Sequence, residues 1–185
     1  EEKMTQWMLV RHAKSDWNDS SLGDKERPLN QRGRRAAVLL GQKLLQLDLV
    51  PERILCSTSL RTIQTLQGIL QSLCAYSEKR VPEILYFEQL YLATAQTIHQ
   101  VTLENHGGKA SVLCIGHNPG IEVLASELGQ ETLEMKTAHL ILFEKNEPWE
   151  KVSNEYAGNE YASQRKADEN NNGWRLKVNL RGEEA

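Results

Sequence analysis

The chain has 185 residues, 39% of them hydrophobic and 25% charged, with a formal net charge of −3. This suits one soluble globular domain over 1–185 with a core of its own. The charge balance gives no nucleic-acid footprint, and no apolar run is long enough to span a bilayer, so neither nucleic acid nor membrane is an expected partner. Three cysteines (Cys56, Cys74 and Cys114) form no CxxC pair. An odd count argues against a disulfide framework and for a reducing, cytoplasmic setting. The N-terminus has no apolar signal region, and Met4 reads as the natural start behind three added residues.

In chain order, Gln6 to Val10 is a short apolar run and predicts a strand. Arg11 to Arg27 is polar and predicts a loop. Ala36, Leu40, Leu44 and Leu47 recur at helical spacing, with Asn30 as the expected cap. Arg53 to Cys56 predicts a second strand. A cluster of cap residues, Ser57 to Ser59, then opens a helix with Ile63, Leu66, Leu70 and Leu73 on its buried face. Glu83 to Phe87 is a third strand and Thr94 to Asn105 a helix ended by Gly107 and Gly108. Ala110 to Ile115 is nearly continuous in apolar residues, as a strand buried on both faces should be. Asn118 as cap and Pro119 at the first helical position then open a helix that Gly129 should end. His139 to Phe143 is a fifth strand. Trp174 to Leu180 alternates apolar and polar residues and predicts a sixth with one wet face. The stretch between them, 147–173, is polar and predicts a long loop.

Strand alternating with helix argues for an α/β fold, a helix-flanked and mostly parallel sheet. In such sheets ligands bind beyond the carboxyl ends of the strands. Three polar groups sit there: Arg11-His12 after the first strand, Ser57 to Arg61 after the second, and His117-Asn118 after the fourth. Two arginines and two histidines brought together repel one another unless an anion lies among them. A phosphoryl group fits, because the guanidinium fork matches its oxygens and two helix N-termini add to the field. Arg61 and Thr65, four residues apart, share one helix face.

The run LVRHAKSDW at Leu9 to Trp17 resembles the opening signature of the histidine phosphatase superfamily, and is most similar to its SixA-type phosphohistidine phosphatase branch. RPLNQRG at Arg27 to Gly33, CSTSLRTIQT at Cys56 to Thr65 and IGHNPG at Ile115 to Gly120 follow in the family's order and spacing. The resemblance implies a phosphoglycerate mutase-like three-layer α/β/α sandwich, with about six strands and one antiparallel edge strand. It implies that His12 accepts the phosphoryl group and that Arg11, Arg61 and His117 hold its oxygens. Asn118 and Ser15 are further pocket residues, and Lys14 lies at the rim. His139 departs from the small-residue pattern of relatives and reads as a strand residue.

The expected chemistry is attack of neutral His12 on phosphorus, with a flanking backbone carbonyl fixing its tautomer, then hydrolysis of the phosphohistidine by water. No cofactor or metal is called for, because the histidines lack close ligand spacing. An alkoxide leaves poorly and wants a general acid, for which Glu88, at the carboxyl end of the third strand, is the candidate. An imidazole leaves more easily. The favoured substrate is therefore phosphohistidine in a protein. A phosphatase of small phosphate esters and a phosphate-recognition module without catalysis are the alternatives.

Overall fold

The computed structural model describes residues 4–76, 81–152 and 173–182. The chain runs β1 (Thr5–Arg11), α1 (Gln31–Gln46), β2 (Arg53–Ser57), α2 (Leu60–Tyr76), β3 (Glu83–Phe87), α3 (Ala95–Asn105), β4 (Ser111–Gly116), α4 (Gly120–Gly129), β5 (His139–Lys145) and β6 (Arg175–Arg181). Single 3₁₀ turns lie at Asp24–Glu26, Glu88–Leu90 and Trp149–Lys151.

The six strands form one sheet in the order β3-β2-β4-β1-β5-β6. Alternation along β1 divides the core into two layers, because successive side chains leave opposite faces. Trp7 and Leu9 point to the face covered by Ile98 and Val101 of α3 and Ile121 and Leu124 of α4. Met8 and Val10 point to the other, against Leu40 and Leu44 of α1 and Leu66, Ile69 and Leu73 of α2. The fold is thus the expected α/β/α sandwich. Two helices, α1 and α3, begin with a side-chain cap. Asn30 accepts from the Gly33 amide, and Thr94 from the Thr97 amide, each satisfying an orphan donor of the first turn.

Several details differ from the sequence reading. The antiparallel strand is β5, one position in from the edge, while β6 pairs antiparallel with β5 and closes the sheet. On α2 the buried stripe runs through Leu66, Ile69 and Leu73, and Ile63 and Leu70 are only half-buried. The helix lies with its Ile69 backbone against Gly41 of α1. Pro119 is itself the N-cap of α4, and Gln130, not Gly129, takes the left-handed conformation at its end. Leu176 is exposed although it lies on the apolar side of β6, because an edge strand is only partly covered. Of the stretch 147–173, Trp149 and Val152 are buried, Trp149 packing edge-on against Trp7. Residues 153–172 lie outside the described residues.

Candidate active site

β1 and β4 are neighbours with Arg11 opposite Gly116, so the next residue from each strand is a histidine. The His12 amide donates to the Gly116 carbonyl at 3.1 Å, and the rings of His12 and His117 lie 5.2 Å apart between centroids. Arg61 enters from the first turn of α2, beside Ser57 at the end of β2. The three groups expected at the strand ends therefore meet. Arg11, His12, Ser15, Arg61, His117 and Asn118 line a cavity of about 300 Å³, with Lys14 also on its wall.

His12 has a defined tautomer. Its Nδ1 lies 2.7 Å from the Ala13 carbonyl, which only accepts, so Nδ1 carries the proton and Nε2 keeps the lone pair. Burial, with the charges of Arg61 and Arg11, draws its pKa down to about 4 against the pull of that carbonyl. The ring is therefore neutral at pH 7. Ala13 is itself held, since its amide donates to Thr65 Oγ1, which donates to the Arg61 carbonyl at 2.7 Å.

His117 is 1% exposed, and burial, His12 and Arg61 take its pKa to about 3. Arg61 Nη2 donates to His117 Nδ1 at 3.3 Å, so Nε2–H donates to Ser57 Oγ at 2.8 Å. Arg61, 4% exposed, is gripped from outside as well. Its Nη1 donates to the Asp24 carbonyl at 2.6 Å and its Nη2 to Asp24 Oδ2 at 2.9 Å. Asp24 lines the cavity and also accepts from the Tyr91 hydroxyl at 2.6 Å. The Tyr91 and Arg61 bonds hold its carboxyl below the usual range, so it is a carboxylate.

On the far wall, Arg11 Nη1 and Asn118 Nδ2 both donate to the Met135 carbonyl. Glu122 of α4 accepts from Asn118 Nδ2 at 3.0 Å and from the Met135 amide at 2.8 Å. This ties the segment before β5 to the cavity, where Thr137 joins the lining. Ser15 bridges to Leu29, linking the loop after β1 to the start of α1.

The structure does not bring Glu88 into this lining. Its side chain is 65% exposed and bound by Lys25 Nζ and Thr58 Oγ1, which lower its pKa and keep it ionised. The reason is positional: the chain turns into a 3₁₀ helix directly after β3, carrying Glu88 sideways to Lys25. His139 is the first residue of β5 and bonds Asn179 of β6, as a strand residue does. Among the described residues no group of three or more His, Cys, Asp or Glu could hold a metal ion, and no helix is long and apolar enough to cross a membrane.

Six cavity or support residues had no assignment from sequence: Trp17, Asp24, Leu92 and Thr137 in the lining, and Tyr91 and Glu122 behind it. Asp24 lies three residues before the Arg27-Pro28-Leu29 block, and that proximity was the one signal for it. The others depend on tertiary placement.

A neutral imidazole nitrogen set among two guanidinium groups and a second histidine can hold a tetrahedral oxyanion and attack its centre. Comparison with known proteins agrees with that class. Residues 7–100 match the family described as histidine phosphatase superfamily (branch 1), and the chain belongs to that superfamily. It is 33% identical over 152 residues to an uncharacterized chloroplastic protein of Arabidopsis thaliana, covering 78% of this chain and 69% of that one. An uncharacterized protein of Mycobacterium tuberculosis is 34% identical over 116 residues, covering 63% and 67%. Among solved structures, a putative phosphohistidine phosphatase SixA from Agrobacterium tumefaciens superposes with a TM-score of 0.71 at 23% identity, covering 95% of this chain and 97% of that one. A protein histidine phosphatase SixA complexed with tungstate gives 0.68 at 20% identity, covering 96% and 97%. These two share the phosphoglycerate mutase-like fold described above.

Proposed function

We propose that the protein is a metal-independent phosphatase in which His12 carries the phosphoryl group, and that its substrate is a phosphohistidine side chain of another protein. One observation carries the reading: the Ala13 carbonyl fixes Nδ1–H of a neutral His12, which leaves Nε2 as the basic nitrogen of the cavity. Nε2 attacks phosphorus in line. The new P–N bond forms as the bond to the leaving group breaks, and the leaving group takes the electron pair. Arg11 and Arg61 stabilise the charge on the equatorial oxygens, the main requirement of phosphoryl transfer, and an entering phosphoryl dianion draws Arg61 Nη2 off His117 Nδ1, which takes up a proton from solvent and becomes a further donor. Water then attacks the phosphohistidine, releasing phosphate and returning His12 to its neutral form. Ser15 completes the oxyanion seat, and Asn118, whose Nδ2 hydrogens go to Glu122 and the Met135 carbonyl, braces the wall beside it.

The choice of substrate follows from the carboxylates. Glu88 lies outside the cavity lining, and Asp24 is held ionised by Tyr91 and Arg61. A site with no neutral carboxylic acid suits a leaving group that needs little proton assistance, and imidazole, whose conjugate acid has a pKa of about 6.5, is one. The free cysteines suit a reducing compartment such as the cytoplasm. The test is to incubate with a labelled phosphodonor, quench in base and map the acid-labile label. Label on His12, retained in the presence of a strong chelator, is expected. Label elsewhere overturns the mechanism, and faster turnover of an unactivated sugar phosphate than of phosphohistidine overturns the substrate.

A further inference from the structure

Two large apolar side chains line the cavity although water reaches them. Trp17 is 67% exposed and Leu92 is 54% exposed. Being both exposed and part of the lining, they belong to the mouth of the cavity, outside the floor of His12, Arg11 and Arg61. Neither is idle surface. Trp17 lies under the Arg27 guanidinium, 4.1 Å from its ring centroid, and its loop is fastened by the Asp16 amide donating to the Pro28 carbonyl at 2.8 Å. Leu92 sits at φ +48°, a left-handed conformation that a branched residue adopts only at a cost and when its surroundings impose it. Its chain neighbours are both held: the Tyr91 hydroxyl bonds Asp24, and the Ala93 carbonyl lies 1.9 Å from where a Cβ on Gly120 would stand.

A site meant for phosphate alone has no use for these residues, since phosphate offers nothing apolar to bury. We propose that Trp17 and Leu92 form an apolar lip that grips the flat ring bearing the phosphoryl group, so that the site selects phosphate carried on an imidazole over phosphate carried on a ringless nitrogen or an alkyl chain. An indole face beside a planar ring stacks favourably, and a leucine methyl pair fills the remaining edge. The lip acts on the leaving group, at a distance from the oxygens that Arg11, Arg61 and His117 hold. This inference rests on the phosphatase reading above.

The experiment compares phosphohistidine with phosphoramidate, which presents the same P–N bond without a ring, in wild type, Trp17→Ala, Trp17→Phe and Leu92→Gly. Glycine is at ease at φ +48°, so that variant keeps the backbone. The ratio of kcat/KM for phosphohistidine to that for phosphoramidate should fall about fivefold in Trp17→Ala and in Leu92→Gly, chiefly through KM, and recover in Trp17→Phe. Equal losses on both substrates would show a merely structural role, and an unchanged ratio would show no lip. Either result overturns the inference while leaving the phosphatase intact. Wild type inactive on both substrates overturns the phosphatase reading and the lip with it.

Discussion

Acidification tests the central claim about His12. An ordinary histidine titrates near 6.5, whereas burial and the Arg61 and Arg11 charges bring His12 to about 4. At pH 5 an ordinary imidazole is about 3% neutral, and His12 should be about 90% neutral. The stability sign follows. The folded pKa lies below the unfolded one, so the unfolded chain binds the proton first, and the folded state loses stability as pH falls from 6.5 towards 4. The slope is about 1.4 kcal/mol per pH unit, and the total for this residue is about 3 kcal/mol. Above pH 6.5 the contribution is flat. Nitrogen NMR of the histidine rings reads the same quantity directly. His12 should show a protonated Nδ1 and a bare Nε2 at pH 7 that persist to pH 5. Urea unfolding gives the second measure, since His12→Gln should lower the dependence of stability on pH between 6.5 and 4 by about one proton. A His12 midpoint near 6.5, or a proton on Nε2 at pH 7, would refute the account of the nucleophile.

Other perturbations separate the parts of the site. Thr65→Val keeps shape but leaves the Ala13 amide without its acceptor, so stability should fall by about 1–3 kcal/mol and kcat should drop because the carbonyl orienting His12 is loosened; thermal unfolding and steady-state kinetics check both. Gly33→Ala sets a Cβ 2.2 Å from the Lys14 carbonyl, a backbone contact that must give way, and should cost about 1–3 kcal/mol by denaturant unfolding. Asp24→Asn removes a negative charge from the cavity wall, so inorganic phosphate should bind about fivefold more tightly at low salt by calorimetry. Ser57→Ala takes away the acceptor of His117 Nε2–H and should lower kcat more than it raises KM.

Much of this was legible in the sequence because period and position carry it. The run of apolar residues at Ser111–Gly116 could only be a strand covered on both faces, and it lies second from neither edge but inside the sheet, beside β1. Arg11, His12, Arg61 and His117 were legible because each ends a strand, directly follows one or lies in the first turn of a helix, and in a parallel sheet those places converge. The misreadings have a common origin. Glu88 is adjacent to the end of β3 in sequence, yet one 3₁₀ turn and the pull of Lys25 carry it out of the lining. Asp24 sits in a loop with no periodic signal, and only the packing of that loop against α2 brings it to Arg61. On α2 the apolar residues at 63, 66, 69, 70 and 73 allow more than one helical stripe, and packing against α1 decides for Leu66, Ile69 and Leu73.

The pairing of Arg11 with Gly116 acts as a ruler. The separation of His12 and His117 is graduated by the backbone ladder between two adjacent strands, where neighbours lie about 4.8 Å apart, and not by any side-chain adjustment. Removing one residue from within β4 would slide His117 by about 3.3 Å and turn it to the opposite face of the sheet. A change of chain length inside β1 or β4 is therefore prohibitive, and the two strands form the part of the molecule whose arithmetic has to be kept.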